Sequence, residues 1–500
     1  MFQVVYTKSF LSCLTVTALV ILCGCSSIID AHKQKQEMTT AYTSGDLKKA
    51  HQIVSSKSES RRDSGDAIMW LLEEGLIKFD SGDYENSLTA FEHAEEKINE
   101  HDERATLNAR RSGAETGSAV TNPTAIPYKG LYCDRVLLNV YKAMVYLALD
   151  NPDAARVELR RMRDVQKDIK RQFDDEIENE RKIANAANRK NRGQSRKLSG
   201  RRNSNVSFDM LLKNRSVKKA YNDSAKRSEK AYGNFMNPFS TYMSAIAYLS
   251  EGNYNEACVD FRNLYRMDKN NPLTNRDFVS CARKIGADIP PELKNIPSWD
   301  YPLNNNIVFV IFANGHAPAL KQIKIQIILP YVGYTGLAFP KYEFFKRFYK
   351  KLVISNGDKL YQTVPVVDMD AVIAQEYHKR LPTMITRIAV SYLVKEIASL
   401  VAVKAAQTQG AAAGLAALAA TGLYKYLFNT ADTRCWETLP GEYQIVHFPI
   451  PKDRKLKLNL PLGSLTKELS IDFKKKARLI IIYVRGINKK IISVKTFKFN

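Results

Sequence analysis

The chain has 500 residues, of which 45% are hydrophobic and 25% are charged, so it is long enough for two to four domains and is not globally disordered. Seven cysteines in this length exclude a small scaffold held together by disulfides. Lysine and arginine number 75 against 52 aspartates and glutamates, a net charge of +23, which indicates anionic partners such as phosphate, lipid headgroups or acidic polymers.

The N-terminal segment has the features of a bacterial lipoprotein signal. A weakly basic start precedes an apolar run from Phe10 to Leu22, which has the length of a secretory signal and is short for a membrane span. The run ends in the lipobox Leu22-Cys23-Gly24-Cys25, so we expect residues 1–24 to be removed and Cys25 to carry the acyl chains of a membrane anchor. The alternatives are a plain secretory signal with a chance cysteine, or a short core helix. Ser26-Ser27 follow without an aspartate, which favours the outer membrane, with the protein facing the periplasm.

Export bears on the cysteines that remain in the mature chain. They are scattered and form no Cys-x-x-Cys pair, so neither zinc binding nor thioredoxin-like chemistry is indicated. A Cys258–Cys281 disulfide is one expectation, and four small buried thiols are the other. The four residues are Cys133, Cys258, Cys281 and Cys435.

A spacing of small and aromatic residues recurs three times in the first half of the chain. A small residue is followed at fixed intervals by a turn residue, a second small residue and a large apolar residue. This arrangement resembles the tetratricopeptide repeat, in which two antiparallel helices approach closely at their small residues. It predicts a repeat-containing helical domain over 25–289, with generic helical hairpins as the alternative. The packing residues are Gly75, Tyr84 and Phe91 in the first copy, Ala143 and Ala155 in the second, and Ala245, Tyr254, Ala257 and Phe261 in the third.

A basic stretch near 186–206 interrupts the helical region. No acidic residue occurs from Arg189 to Arg202, and the basic residues alternate with Asn, Ser and Gly, which predicts a solvated, disordered insertion. The alternative is binding to an anionic lipid or a cell-wall polymer. Nucleic acid is not favoured, because the stretch lacks the interleaved aromatic residues of a single-strand groove.

Beyond Pro290 the sequence changes to short runs that are typical of β-strands. Several alternate apolar side chains with Lys or Arg, as in Lys455 to Leu460, which is typical of antiparallel strands with one face in water. A helical block over 369–428 interrupts them. We therefore predict an α+β protein in which tetratricopeptide-like helical repeats precede a mostly antiparallel β-sheet domain, over 290–500, with a helical insertion.

The helical block contains a segment without charge, Ala405 to Tyr424, which is rich in alanine and glycine. Gly410-x-x-x-Gly414 within it would allow close contact between helices. We expect a small-residue helix buried against its own domain or a partner subunit. Reversible membrane insertion and a flexible loop are the alternatives, because polar residues dilute the hydrophobicity of the segment.

The sequence carries no motif for known catalytic chemistry. Phosphate-binding loops, zinc-protease motifs and nucleophile elbows do not occur, and the seven histidines are too widely spread to suggest a ligand set. We therefore expect a protein that is not an enzyme and has no metal or cofactor. The candidate partner-binding residues are Asn314 and Gly315 in a turn, and Asp432, Arg434 and Trp436 beyond the helical block. The last three could bind a partner, or they could attach the helical block to the sheet.

Several stretches together resemble an uncharacterised family of tetratricopeptide-containing bacterial envelope lipoproteins. The resemblance implies a lipobox, an N-terminal repeat domain and a C-terminal sheet domain, and it implies no established activity. This chain departs from the pattern in its basic stretch after Lys190 and in Cys133 and His316, which lie inside motifs. The stretches that carry the resemblance are Tyr128-Lys-Gly130, Asp134-Arg-Val136, Tyr141, Asn237-Pro-Phe-Ser240, Asn314-Gly-His-Ala-Pro318, Arg380-Leu-Pro382 and 431–440.

These observations predict a lipid-anchored scaffold that binds an unknown envelope protein through its repeats, in envelope assembly or cell-wall synthesis. The alternative is a structural component of an export or surface-assembly channel, in which Ala405 to Tyr424 contacts a membrane or a neighbouring subunit. An enzyme of unknown type is a residual third possibility.

Overall fold

The computed structural model describes residues 33–111, 127–199, 206–233, 235–329, 333–356, 359–428, 430–452, 454–459, 466–470 and 477–500. The predicted signal peptide and Cys25 lie outside these ranges. Within these ranges thirteen α-helices and eleven strands follow one another, with the helices concentrated before Pro290, so the predicted α+β class and its order are confirmed. The helices are α1 (33–44), α2 (Leu47–Ser60), α3 (Ala67–Ser81), α4 (Tyr84–Arg111), α5 (Tyr132–Ala148), α6 (Pro152–Ser199), α7 (Phe208–Leu212), α8 (Arg215–Ser228), α9 (Pro238–Ser250), α10 (Tyr254–Met267), α11 (Pro272–Ile285), α12 (Met369–Gln407) and α13 (Ala411–Phe428).

Local signals set the ends of these helices. Asn237 caps α9 by accepting from the backbone N–H groups of Phe239 and Ser240, and Pro238 occupies the first helical position. Gly82 ends α3 with φ +87°, a left-handed conformation that glycine adopts without strain. Such signals explain why turns could be placed from the sequence.

Three helical hairpins, α3–α4, α5–α6 and α9–α10, contain the predicted packing residues. In the first, the Ser87 hydroxyl donates to the Gly75 carbonyl oxygen at 2.6 Å, and a Cβ at Gly75 would lie 2.4 Å from the Phe91 ring. Tyr84 and Tyr254 are half-buried near the turns. The other packing residues are fully buried, namely Phe91, Ala143, Ala155, Ala245, Ala257 and Phe261.

The basic stretch differs from its prediction. α6 continues as a helix through Ser199, so much of the segment expected to be disordered is helical, and residues 200–205 lie outside the described ranges. Its earlier part is amphipathic, because Ala184 and Ala187 are buried while the flanking charged residues Arg181, Lys182 and Arg189 are exposed.

The strands form three sheets. A five-stranded sheet has the order β11-β10-β1-β7-β6, in which only the β1–β10 pair is parallel, and a four-stranded antiparallel sheet has the order β5-β4-β8-β9. β2 and β3 pair as a separate antiparallel ribbon. The strands are β1 (Ile307–Asn314), β2 (Ala319–Leu329), β3 (Gly333–Glu343), β4 (Val353–Asn356), β5 (Lys359–Gln362), β6 (Val364–Asp368), β7 (Glu442–Pro449), β8 (Lys455–Asn459), β9 (Thr466–Ser470), β10 (Leu479–Ile487) and β11 (Lys490–Phe499).

The five-stranded sheet is buried on both faces. One face packs on the first helices of the hairpins: Phe79 lies 5.3 Å from Tyr483 between ring centroids, and Phe239 stacks on Tyr443 at 3.8 Å. The other face packs on the four-stranded sheet, where Leu456 and Leu458 are fully buried. The prediction that each strand has one face in water agrees with β8, where Lys457 is exposed between the buried Leu456 and Leu458. It is wrong for the central strands β1 and β10, which are buried at every position. The regions predicted as separate domains share one continuous core.

Candidate functional site

Residues 431–441 link α13 to β7 and form a strap across the N-terminal helices. Arg434 donates to both carboxylate oxygens of Asp432, at 2.8 and 2.7 Å, and to Asp66 at 3.1 Å. The side chain of Arg434 is 10% exposed. Arg434 and Asp432 therefore pair with each other, and the contact with Asp66 attaches the strap to the start of α3.

Trp436 lies in the core beneath the strap. Its ring centroid is 6.0 Å from that of Phe91 and 5.9 Å from that of Tyr141, and the residue is 2% exposed. The expectation that Trp436 contacts a partner is wrong for this conformation. Its apolar surface is already used where the strap meets two of the helical hairpins.

The predicted turn at Asn314 and Gly315 is also structural. Asn314 is fully buried, and its side-chain amide donates to the Tyr349 carbonyl oxygen at 2.7 Å. Gly315 has φ +66°, its N–H donates to the Gly486 carbonyl oxygen at 2.8 Å, and its own carbonyl oxygen accepts from Arg485. The turn therefore adjoins β10, and burial removes Asn314 as a partner-binding residue.

Arg485 of β10 joins the turn to the strap, and sequence reasoning missed it. Its fully buried guanidinium donates to the carbonyl oxygens of Ala313 and Thr438, at 3.0 and 3.1 Å. Asp80 lies 4.0 Å from its Nε and accepts the Tyr42 hydroxyl proton at 2.5 Å. The sequence did contain a signal for this site, since Arg485 is the one charged residue in the apolar strand β10. A charged side chain in a buried strand is expected to have a buried partner, because charges are rarely buried unpaired.

A second buried group attaches the strap to α1 and α3. The Glu73 carboxylate accepts from the backbone N–H groups of Glu437 and Thr438, at 2.7 and 3.2 Å, and Lys35 lies 2.9 Å from the Glu437 carboxylate. Burial raises the pKa of Glu73 to about 7, while the charge of Lys35 opposes that rise. Burial also raises the pKa of the Cys435 thiol to about 12. Cys435 is therefore a neutral thiol here, which does not suit a nucleophile.

A third charged group brings together residues that carry the family resemblance. Arg380 of α12 donates to both Glu176 oxygens, at 2.8 and 3.0 Å, and to Glu376 at 3.0 Å. Lys129 contacts the same Glu176 carboxylate, and burial lowers the pKa of Lys129 to about 7. The Glu376 carboxylate in turn accepts from the Tyr132 N–H at 3.0 Å. These groups pair with one another, so the arrangement holds α12 on α5 and α6.

A cavity of about 470 Å³ lies between α2, the end of α3 and β11. Its lining includes Lys48, His51, Asp80 and Lys495, and burial lowers the pKa of Lys495 while Asp80 opposes this. The Asp80 Oδ2 atom accepts from the Tyr42 hydroxyl, while Asp80 Oδ1 is buried without a hydrogen-bond partner, and no second carboxylate is among the described residues that line the cavity. Among the residues that the structure describes, no group of three or more His, Cys, Asp or Glu side chains is placed to hold a metal ion.

Four of the ten large hydrophobic residues exposed in the described part of the chain lie on an antiparallel helical hairpin, here called the arm, which comprises residues 391–428 of α12 and α13. Leu415 and Leu418 on α13 are 68% and 58% exposed, and Leu400 and Val401 on α12 are 43% and 47% exposed. The expectation that the Ala405–Tyr424 helix is buried in its own domain is therefore wrong. Among residues 411–419 and 421, whose side chains are described, Gly414 is the buried one, and a Cβ there would lie 2.7 Å from the Gln407 side chain of α12.

Among the described helices, including those of the arm, none is both long enough and apolar enough to cross a bilayer. No protein-family model, curated protein or solved structure matches this chain, so the resemblance noted from its sequence motifs stays a prediction.

Proposed function

We propose that this chain is a lipid-anchored structural protein of the bacterial envelope, without enzymatic activity, and that the arm is the surface through which it assembles. The lipobox at Cys25 supports an anchor in the outer membrane facing the periplasm, and the net charge of +23 supports contact with anionic lipid or cell-wall polymer. This proposal corresponds to the alternative drawn from the sequence, a structural component of an export or surface-assembly channel, with the arm as the element that makes the contact.

The exposed apolar surface of the arm is the observation that carries the proposal. Ten large hydrophobic residues are exposed in the described part of the chain, and four of them are Leu400, Val401, Leu415 and Leu418. Exposed apolar side chains grouped on one hairpin are typical of an interaction site, because leaving apolar surface in water costs roughly 25 cal/mol per Å². A purely structural hairpin would carry charged residues on its outer side.

A repeat scaffold is the second candidate function, with tetratricopeptide-like stacking of the three hairpins as part of it. The position fourteen residues after the first small residue of each repeat is exposed in every copy, and it is occupied by Thr89, Val157 and Val259. A regular row on the outer side of the second helices could bind an extended partner. The inner side is filled by the protein's own sheet, which removes the groove that repeat proteins commonly use.

Site-specific crosslinking in intact cells separates the two candidates. A photoreactive phenylalanine analogue at Leu415 should give one defined crosslinked product, whereas the same analogue at Val157 should give none. A product from Val157 alone would favour the repeat scaffold and contradict the proposal. The analogue at Leu360, which is 66% exposed on β5, is the matched control for a large exposed apolar position away from both surfaces.

Lipid anchoring is tested separately. Cys25→Ala should leave the chain unprocessed or release it from the outer-membrane fraction, as measured by fractionation and by mass spectrometry of the N-terminus. An unchanged distribution, with the mature wild-type N-terminus unacylated, would contradict the anchor without bearing on the arm.

A further inference from the structure

We infer that the arm binds the arm of a second copy of this chain, so that two arms form an intermolecular helical bundle. The inference rests on the proposed function of the arm as an assembly surface, and it adds the identity of the partner. Two antiparallel helices from each copy would complete a four-helix arrangement, in which the apolar side of each hairpin is buried against the other.

Helical spacing gathers the apolar residues of each helix of the arm into a row. Leu415 and Leu418 are three positions apart on α13, and Leu400 follows Ile397 by three positions and Leu393 by seven on α12. The row on α12 continues toward the body of the protein as Ile397 and Leu393, which are 1% and 0% exposed. The apolar row on α12 is therefore buried near the body of the protein, at Leu393 and Ile397, and exposed nearer the tip of the arm, at Leu400.

The charge of the chain favours this place for contact between identical copies. Two molecules of net charge +23 repel each other over most of their surface. No charged residue occurs between Lys404 and Lys425, so contact through the arm brings few like charges together and leaves the two lysines at its margins. If two copies met through a face with many basic residues, the like charges of the two copies would repel each other across the contact.

The arm offers enough area for a specific contact. α13 has 18 residues, and at 1.5 Å per residue it is about 27 Å long, while two adjacent helices are about 20 Å wide. One side of the arm therefore presents roughly 540 Å², and two copies would bury roughly 1,100 Å² in total, which is at the lower end of specific interfaces. The small side chains at Ala411 and Ala419, both exposed, would allow the helices to approach closely.

A lipid bilayer fits the arm less well. The tip carries Gln407, Thr408 and Gln409, all exposed, and Lys404 lies one turn before it. Insertion of the tip would bury these polar groups and a charge in hydrocarbon, where each unsatisfied group costs several kcal/mol. Contact between protein arms leaves the polar tip at the edge of the bundle, in water.

The test uses two full-length copies with different affinity tags, produced in the same cells. Capture of one tag should recover the other copy, and Leu415→Glu in both copies should reduce that recovery at least tenfold. Leu360→Glu, which places the same charge at an exposed apolar position outside the arm, should not change it. In parallel, the photoreactive analogue at Leu418 should yield a product of twice the chain mass whose two crosslinked peptides both come from this sequence.

Each other outcome overturns the inference in a distinguishable way. A Leu418 product with a different protein, without co-capture of the two tags, would refute self-association and keep the proposed function of the arm. Crosslinks to lipid alone would refute self-association in favour of a membrane contact. The absence of any product, with equal tag recovery for the wild type and Leu415→Glu, would refute both the inference and the proposed role of the arm.

Discussion

Replacing Gly75 by alanine tests the closest helix–helix contact in the structure. The added Cβ would lie 2.4 Å from Cε1 of Phe91, about 1 Å inside ordinary van der Waals contact. Phe91 has no exposed surface and lies between Tyr141 and Trp436, with ring centroids 6.1 and 6.0 Å away, so its ring has no space to move into. The helices must therefore separate, or the ring must leave its rotamer.

Two effects of known size set the expected result. Overpacking a core by a methyl group costs roughly 1–3 kcal/mol, and an overlap of this depth in a fixed ring falls toward the upper value. Alanine gains back about 1 kcal/mol over glycine in a helix interior. We expect Gly75→Ala to lower the free energy of unfolding by about 2 kcal/mol, although the same change in an open helical position would raise it.

The measurement is a urea titration followed by tryptophan fluorescence, because Trp436 contacts Phe91 directly. Gly336→Ala is the control, since no heavy atom lies within 4 Å of a Cβ at that position. In the double variant Gly75→Ala with Phe91→Leu, the loss in the free energy of unfolding should be about 1 kcal/mol smaller than the sum of the losses in the two single variants. A Gly75→Ala chain as stable as the wild type, or strictly additive losses, would refute the close packing of α3 on α4.

Three further predictions concern buried polar groups. Arg485→Met should cost about 3–5 kcal/mol in urea unfolding, because it leaves Asp80 buried without its cation, and Asp80→Asn in the same chain should recover part of the loss. Burial raises the pKa of Asp134 to about 7, so the folded chain binds the extra proton and its stability should fall as the pH rises from about 4 to 7. Asp134→Asn should remove about 2.5 kcal/mol of the difference in unfolding free energy between pH 5 and pH 8, since the two pH values span about two units below the folded pKa, and an unchanged difference would contradict this assignment. An aqueous thiol reagent should label no described cysteine in the folded chain and all four after denaturation without reductant, whereas a disulfide would leave two unlabelled; the four are Cys133, Cys258, Cys281 and Cys435.

The parts of the fold that were predictable depend on short-range signals. In each hairpin the small residues and the turn lie within twenty residues of one another in the sequence, as Gly75 and Gly82 do. Their spacing alone therefore indicates two helices in close contact. The alternation in β8 likewise needs only neighbouring residues, and Leu456 and Leu458 are buried as expected. These signals set the α+β class and the order of its elements.

The parts that were not predictable depend on long-range packing. The strap looked exposed because Arg434 and Trp436 are typical of interfaces, but Trp436 is enclosed by helices more than 290 positions earlier in the chain. Burial of Asn314 likewise depends on Tyr349 and Glu442. The prediction for the basic stretch was wrong for a different reason, because its charge suggested disorder while α6 continues as a helix to Ser199.

The surfaces left over by this packing narrow the choice of binding site. The five-stranded sheet fills the inner side of the hairpins, and the four-stranded sheet fills its other face. The outer side of α6 carries exposed ion pairs such as Lys167–Asp164 and Arg171–Asp168, which are well solvated and contribute little free energy when covered. The arm is different, because its Leu415 and Leu418 gain free energy only when they leave water. The proposed assembly through the arm would use the apolar surface that this core packing leaves exposed, and a Leu415→Glu chain that folds normally but does not assemble would distinguish a role in assembly from a role in folding.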